Sequence, residues 1–342
     1  MTAATMDEIN VIYQFNEKYV PFAGVSITSL LINNSKTHRI CLHILGEGLS
    51  ERSEELLAKT AERYGASIDF AATDDLISEF RDLGMIPYRG AYSVYLRLFF
   101  TRLYDFSGKR VLYLDADTVV DGDIGQLLSY DMGGRSIGMV LESITDDYKV
   151  MIGMDGDSEY FNSGVILYDT GRWQEMRYTE KLLDHIQNVR SSYIGDQDLI
   201  NLVCEGDICR LPLEYNFQPL HARYTQKQYF GTFGKPPYYS AKEVEAAKQH
   251  PVIYHCYRWL GEFPWHLGNL HPFSAFFDKY MAESMWAGYE KKKAESPLAL
   301  RIEKCLYILP RGLFIKIFRI AHEIMLKGAE SDARHKRTNA GA

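Results

Sequence analysis

Apolar positions along this chain fall into short runs broken by polar and glycine-bearing segments, and the runs alternate between strand-like and helix-like spacing. Residues 9–15 read as a strand that ends in Asn16-Glu17-Lys18-Tyr19. Residues 21–34 carry Val25, Ile27, Leu30 and Leu31 at helical spacing and stop at Asn33-Asn34, a pair suited to a C-terminal cap. A strand over 39–45 leads to Ser50, an N-cap serine followed by Glu54-Glu55 in the first helical turn, and that helix runs to Tyr64 with Gly65 as its stop. A strand over 67–71, a helix over 75–83 and a helix around 91–103 continue the alternation. Further strands are expected over 111–120, 137–141 (ending at Glu142), 160–168 and 252–255, with helices over 171–187 and 199–203. The polar, glycine-containing stretch 145–160 reads as a loop or lid. Strands alternating with helices predict an α/β fold with a mostly parallel central sheet covered on both faces.

The run Val111-Leu112-Tyr113-Leu114-Asp115-Ala116-Asp117-Thr118-Val119-Val120 stands out because two carboxylates interrupt it one residue apart. In one continuous strand side chains alternate, so Asp115 and Asp117 share a face and Ala116 points away. Two like charges on one face call for a cation between them, for a proton on one of them, or for open water. A hard divalent ion with oxygen ligands would resolve the conflict and carry the phosphates of a nucleotide. The plainer alternative is that both residues end a strand before the turn Asp121-Gly122-Asp123.

A net charge of −7 argues against general nucleic-acid binding, since no excess of cations covers a broad surface. The five cysteines are odd in number and without a Cys-x-x-Cys pair, which points to reduced thiols in a cytosolic protein. The amino end does not read as a signal peptide, and no run of apolar residues is long enough to span a membrane. There is no Gly-x-Gly-x-x-Gly and no P-loop, so dinucleotide enzymes and nucleoside-triphosphate hydrolases lose support. The 24 tyrosines and 17 phenylalanines suit a carbohydrate or nucleotide site but serve equally as core.

Other candidate groups follow from position. Asn16, Glu17 and Lys18 stand at the carboxyl end of the first strand, where open α/β sheets bind ligands. Arg97 lies among apolar residues and needs a carboxylate or phosphate partner for its fork. Asp196 and Asp198 precede a helix, where acids also serve the helix dipole. His255 ends an apolar strand and gains value if the fold returns it to the carboxylate pair. In the tail, residues 297–327 hold six Lys or Arg (301, 304, 311, 316, 319, 327) against two acids (303, 323). Leu313, Phe314, Ile317, Ala321, Ile324 and Met325 recur there at helical spacing, with Pro310 and Gly312 dividing two short helices. Such a basic amphipathic segment suits either an anionic membrane surface or packing back onto the domain. Residues 328–342 are small and polar and read as disordered.

Taken together, the chain resembles the retaining, metal-dependent bacterial glycosyltransferases of family 8, which include lipopolysaccharide galactosyl- and glucosyltransferases and are related to glycogenin. The resemblance runs from about Ile9 to Trp286. It rests on Tyr95-Leu96-Arg97-Leu98, Leu112-Tyr113-Leu114-Asp115-Ala116-Asp117, Phe161-Asn162-Ser163-Gly164-Val165, Gly195-Asp196-Gln197-Asp198, Tyr215-Asn216-Phe217 and the 255–265 segment, in that order, after the 13–19 edge. It implies a single GT-A-type nucleotide-diphospho-sugar transferase domain, taken as residues 1–290 and followed by the α-helical tail over 291–327. It implies that Asp115, Asp117 and His255 ligate Mn2+, with Mg2+ as the other candidate, against the diphosphate of a UDP-sugar. Asn16, Lys18, Arg97, Asp115, Ala116, Asn162 and Asp196 would bind the donor, UDP-glucose or UDP-galactose, and Gln197 with Asp196 would be the catalytic pair. The position matching Gln197 offers an amide, which favours same-face attack by the acceptor over a carboxylate nucleophile. The acceptor would be a saccharide or glycolipid, lipopolysaccharide or another surface glycan, reached from the cytoplasm at the inner face of the membrane. Two positions depart from the pattern: Asn16 replaces an aspartate, and Phe263 stands before Pro264 in place of a cation, a role that Arg258 would take. Two other classes compete: a non-catalytic UDP-sugar or metal-binding relative, and a metal-dependent phosphohydrolase using Asp115 and Asp117.

Overall fold

The computed structural model describes residues 7–85, 87, 90–188, 195–234, 238–295, 298–321 and 324. Its strands are β1 Glu8–Asn16, β2 Arg39–Glu47, β3 Ser67–Phe70, β4 Arg110–Asp115, β5 Thr118–Val120, β6 Ile137–Leu141, β7 Phe161–Asp169, β8 Ile208–Arg210 and β9 Ile253–His255. Seven of them form one sheet in the order β3-β2-β1-β4-β7-β6-β8, and β5 pairs with β9 alone. β1 to β4 are parallel neighbours, as the alternation of strands and helices requires. β7 runs against both β4 and β6. That reversal brings the start of β7 to the edge where β1, β2 and β4 end: Leu114 faces Val165, so Ser163 and Gly164 continue beside Asp115. The core is continuous through these strands and the helices on either face.

Several expectations change. The run 111–120 is two strands with a turn at Ala116-Asp117. Thr118 Oγ1 donates to the Asp115 carbonyl (2.8 Å), and beyond the turn the chain leaves β1 and β7 for β9. Strand alternation therefore does not set the two carboxylates together; the turn does. Residues 91–103 form the 3-10 segments Ser93–Leu98 and Phe100–Arg102 instead of an α-helix. The Arg97 amide donates to Gln14 Oε1 (3.1 Å), so it cannot join an i to i−4 ladder. The stretch 145–160 contains a helix, Asp146–Ile152, which Thr145 caps and Gly153 ends at φ 102°. The helix expected over 171–187 is broken into Thr170–Glu175 and Tyr178–Asn188 at Arg177, whose φ is 56°.

Helix Val20–Asn34 buries polar as well as apolar residues, Ser26, Thr28, Ser29 and Asn34 among them. Asn33 and Asn34 are not caps. Asn33 Nδ2 donates to the Val120 carbonyl (2.9 Å), Asn34 Nδ2 to that of Gly122 (3.1 Å), and Asn34 Oδ1 accepts from the Ile124 amide (2.9 Å). Ser29 Oγ accepts from the Val120 amide (2.9 Å). The helix thereby satisfies the backbone on the free side of β5, which otherwise pairs only with β9.

The tail begins with helix Leu298–Leu306 and continues as a helix over 311–321, so Pro310 marks the break and Gly312 lies inside the second helix. Phe314 and Ile315 pack into a second cluster with Leu220, Tyr224, Tyr229, Trp259 and Leu260. The opposite side leaves Ile302, Ile308, Leu313 and Ile320 exposed. No helix among the described residues is long and apolar enough to cross a membrane. The segment 328–342 lies outside the described residues.

Candidate active site

The turn at Ala116-Asp117 and the end of β9 meet at one corner of the sheet. His255 Nε2 lies 3.5 Å from Asp115 Oδ2 and 3.3 Å from Asp117 Oδ1. One ligand atom from each of the three residues can be chosen so that all lie within 4.8 Å of one another. Ligand atoms about 2.1 Å from one ion and roughly at right angles stand about 3 Å apart, so this spacing fits a hard divalent cation. In the metal-free protein the carboxylates hold a proton on the imidazole: burial would lower the His255 pKa, but hydrogen bonds and charge from Asp115 and Asp117 push it up to about 10. A divalent cation would replace that proton, because the like charges that retain it would bind the ion.

The imidazole is held from behind. Its Nδ1 lies 3.0 Å from Asn216 Oδ1, an acceptor that keeps the proton on Nδ1 and turns Nε2 toward the carboxylates. Asn216 Nδ2 donates to Asn162 Oδ1 (2.8 Å), and Asn162 Nδ2 donates to Glu142 Oε2 (2.5 Å). Burial raises the Glu142 pKa, partly offset by the Asn162 and Ser143 bonds. The ring also packs on bare backbone: a Cβ on Gly164 would lie 2.0 Å from His255 Cε1. Only glycine fits there.

Arg97 joins this corner to the helix Asp196–Val203. Its Nη1 lies 2.9 Å from Asp115 Oδ1, its Nε 3.3 Å from Asp196 Oδ2, and its guanidinium 4.3 Å above the Tyr113 ring. Nη1 also donates to the Ser163 carbonyl (2.9 Å). The two carboxylates respond differently. Burial alone would raise the Asp115 pKa, yet Arg97 and His255 hold it at about 2; for Asp196 burial prevails over Arg97 and the pKa rises. Gln197, next on the same helix, accepts from the Ser163 amide through Oε1 (3.0 Å). Asp115, Asp117, Asn162, Asp196, Gln197, His255 and Arg97 are thus one hydrogen-bonded assembly.

Residues 10–266 match the family described as Glycosyl transferase family 8. The chain belongs to that family. It is 31% identical to the Lipopolysaccharide 1,2-glucosyltransferase of Escherichia coli K12 over 219 residues, 62% of this chain and 63% of that enzyme, so it spans just under two thirds of that relative's length. It is 24% identical to General stress protein A of Bacillus subtilis 168, over 82% of this chain and 96% of that one. Its fold is similar to that of the galactosyltransferase LgtC solved with donor and acceptor sugar analogs, at a TM-score of 0.68 and 20% identity over 82% of this chain and 99% of that one. The expected GT-A-type architecture is therefore the observed one.

In this family 8 chain the remaining sequence candidates are Asn16, Lys18, Ala116 and Arg258. Asn16 ends β1 with its Oδ1 buried and unpaired, and Lys18 is exposed beside it. Glu17 turns to the start of helix Glu51–Arg63, accepting from the Ser50 amide (2.9 Å) and the Ser53 hydroxyl (2.8 Å). Ala116 is buried in the turn between the carboxylates. Arg258 holds its guanidinium 5.3 Å over the Phe263 ring, so a cation stands over the residue that precedes Pro264.

Three contributors were not singled out from the sequence. Gln14 receives both the Arg97 amide and Nε (3.1 and 3.4 Å), and its signal is a buried polar residue inside an apolar run. Asn216 orients His255, and Glu142 anchors Asn162; each is visible only as a polar residue at the end of an element. Asp198 looked like a helix-dipole acid but is buried, accepting from Tyr148 OH (2.9 Å) and Tyr160 OH.

Proposed function

We propose that this chain is a retaining hexosyltransferase that moves glucose or galactose from a UDP-sugar to a saccharide acceptor, lipopolysaccharide or another cell-surface glycan. The observation that carries the reading is the convergence of Asp115, Asp117 and His255, with Nδ1 of the imidazole engaged by Asn216 so that Nε2 faces the carboxylates. These three residues would hold Mn2+, or Mg2+ in its place, and the ion would supply positive charge to the departing diphosphate.

The chain's own residues do the rest. Asn16, Lys18 and Ala116 border the nucleotide side, and Arg258 provides the cation over Phe263. Arg97 fixes Asp115 and Asp196 at a set separation, because its planar fork is tied to both carboxylates and to Ser163. Asn162 and Asp196 border the hexose. Gln197 is held by Ser163 with its amide oxygen engaged, and an amide is a poor nucleophile, which supports same-face attack by the acceptor hydroxyl. Asp196 is the other catalytic candidate, and its ion pair with Arg97 keeps it from acting as a free carboxylate. Residues 1–290 serve as the catalytic domain. In the tail over 291–327, the described residues Phe314 and Ile315 dock on the domain, and the exposed isoleucines and basic residues would face the inner surface of a cytoplasmic membrane, where a glycolipid acceptor resides.

The test is a donor screen with UDP-glucose, UDP-galactose and other UDP-sugars, with Mn2+ or with chelator, scoring free UDP and sugar transfer separately. One hexose donor should release UDP only with metal present, and faster with a saccharide acceptor. Binding of Mn2+ and UDP without any turnover would favour a binding relative that has lost chemistry, and release of phosphate without transfer would favour a phosphohydrolase.

A further inference from the structure

Residues 259–262 form a tight hairpin just beyond β9. Trp259 and Glu262 exchange backbone hydrogen bonds of 2.8 and 2.9 Å, and both turn residues are left-handed, Leu260 at φ 49° and Gly261 at φ 79°. Glycine adopts that conformation freely, whereas leucine does so under strain, so the turn needs support from outside itself. The support comes from the domain, whose Leu220, Tyr224 and Tyr229 share one apolar cluster with the hairpin, and from the tail. Trp259 and Leu260 are buried with Phe314 and Ile315, and the Trp259 ring meets Tyr307 edge-on at 5.8 Å. Glu262, whose side chain is 10% exposed, accepts from Lys304 Nζ (2.7 Å) on one carboxylate oxygen and from the Leu270 amide (3.3 Å) on the other. Lys304 also donates to the Gly268 carbonyl (3.3 Å).

Arg258 is the residue that enters this hairpin. Phe263, the ring beneath its guanidinium, stacks on Trp265 (4.4 Å), and Trp265 stacks on Phe22 (3.9 Å) near the start of helix Val20–Asn34. The ring beneath Arg258 is thus built into the domain, and the strained turn that follows Arg258 is held jointly by the domain and the tail. We infer that the tail is a positioning element of the donor site: Lys304, Phe314 and Ile315 hold the Trp259–Glu262 hairpin, and the hairpin sets where the Arg258 cation stands for the donor diphosphate. This rests on the donor-binding reading given above. Burial of the tail's own apolar face accounts for the Phe314 and Ile315 contacts, but not for a lysine drawn to a nearly buried carboxylate in the turn next to Arg258.

The experiment is a double-mutant cycle in the full-length chain, with Mn2+–UDP binding followed by calorimetry. Lys304→Met should weaken UDP binding roughly five- to tenfold, a fraction of what Arg258→Ala removes, and should add nothing in the Arg258→Ala background. Donor KM should rise with it while acceptor KM stays put. Equal losses from Lys304→Met in both backgrounds, or no loss in either, would overturn the inference. If Lys304→Met loosens the fold, the pair Glu262→Gln with Lys304→Met leaves no unpaired charge and carries the same comparison. A wild-type chain that fails to bind Mn2+–UDP would sink the donor reading itself; one that binds it with additive variants sinks only the role of the tail.

Discussion

The two ends of the candidate diphosphate site are built by opposite means. The Asp115, Asp117 and His255 corner is made of polar side chains from β4, β7, β9, the residue after β6 and the segment around Asn216, so that Glu142, Asn162, Asn216 and His255 form one chain of hydrogen bonds. The Arg258 end is a short strained hairpin whose partners lie partly in the domain and partly far along the sequence, in the tail. A connected polar network has one low-energy arrangement, since breaking any bond leaves a buried group unpaired. A turn held by an apolar cluster and one ion pair has more freedom, because its contacts weaken gradually as it moves. Under the proposed donor-site reading, the difference teaches that the ion ligands are fixed by the fold while the place of the Arg258 cation depends in part on an appendage.

The largest effect should come from the corner itself. Asp117→Ala should cut sugar transfer roughly a thousandfold or more and abolish Mn2+-dependent UDP binding, because it removes a ligand where leaving-group charge develops. The fold should survive, since Asp117 contributes its carbonyl to the Cys256 amide and a backbone bond does not depend on the side chain. Melting with and without Mn2+ plus UDP checks both halves: the stabilisation by ligand should vanish while the unliganded midpoint stays close to wild type. A mutant that transfers sugar at the wild-type rate would remove the metal corner from the mechanism.

Much of this arrangement was legible in the sequence, and the part that was not has a common cause. Apolar periodicity located every strand of the sheet's parallel half, and the Asp115-Ala116-Asp117 triplet marked the corner before any geometry was known. What failed were features set by a distant partner. Residues 91–103 have the composition of a helix, but the Arg97 amide is taken by Gln14, 83 positions earlier. Asn33 and Asn34 look like the end of a helix because asparagine often is one, yet their side chains serve the backbone near β5, 87 and 88 positions away. Asn216 sat inside a segment already noted and had no assignable role until the fold brought it 3.0 Å from a histidine 39 residues on. Periodicity reports which face of an element is buried, not which polar group waits there.

Asn216 gives the next test of the contrast, smaller because it acts on the ligand from behind. Asn216→Ala should weaken Mn2+ binding roughly ten- to a hundredfold, the usual range for losing a group that orients a ligating histidine. Calorimetry with the metal alone reads this directly. The loss should persist in the Arg258→Ala background, because the two ends are built separately. If instead the two substitutions proved strongly coupled, the site would be one mechanical unit and the division drawn above would be wrong.

The smallest effect on stability belongs to the tail's outer face, and it separates what the tail does inward from what it does outward. Ile308 and Ile320 are 86% and 60% exposed, so Ile308→Asp should change stability by no more than about 0.5 kcal/mol and Ile320→Asp, which gives up some buried apolar area, by about 1 kcal/mol. The same pair should reduce co-sedimentation with anionic phospholipid vesicles roughly tenfold per substitution, because each isoleucine that enters an interface gains about 1.5 kcal/mol or more that an aspartate forfeits. Mn2+–UDP binding in the absence of vesicles should be unchanged, since the face that clasps the hairpin is Phe314, Ile315 and Lys304 and none of these is touched. Undiminished vesicle binding would take the outer face out of the membrane reading. Weakened UDP binding without vesicles would show that the two faces of the tail are not independent, and that the hairpin senses the whole helix instead of the residues that touch it.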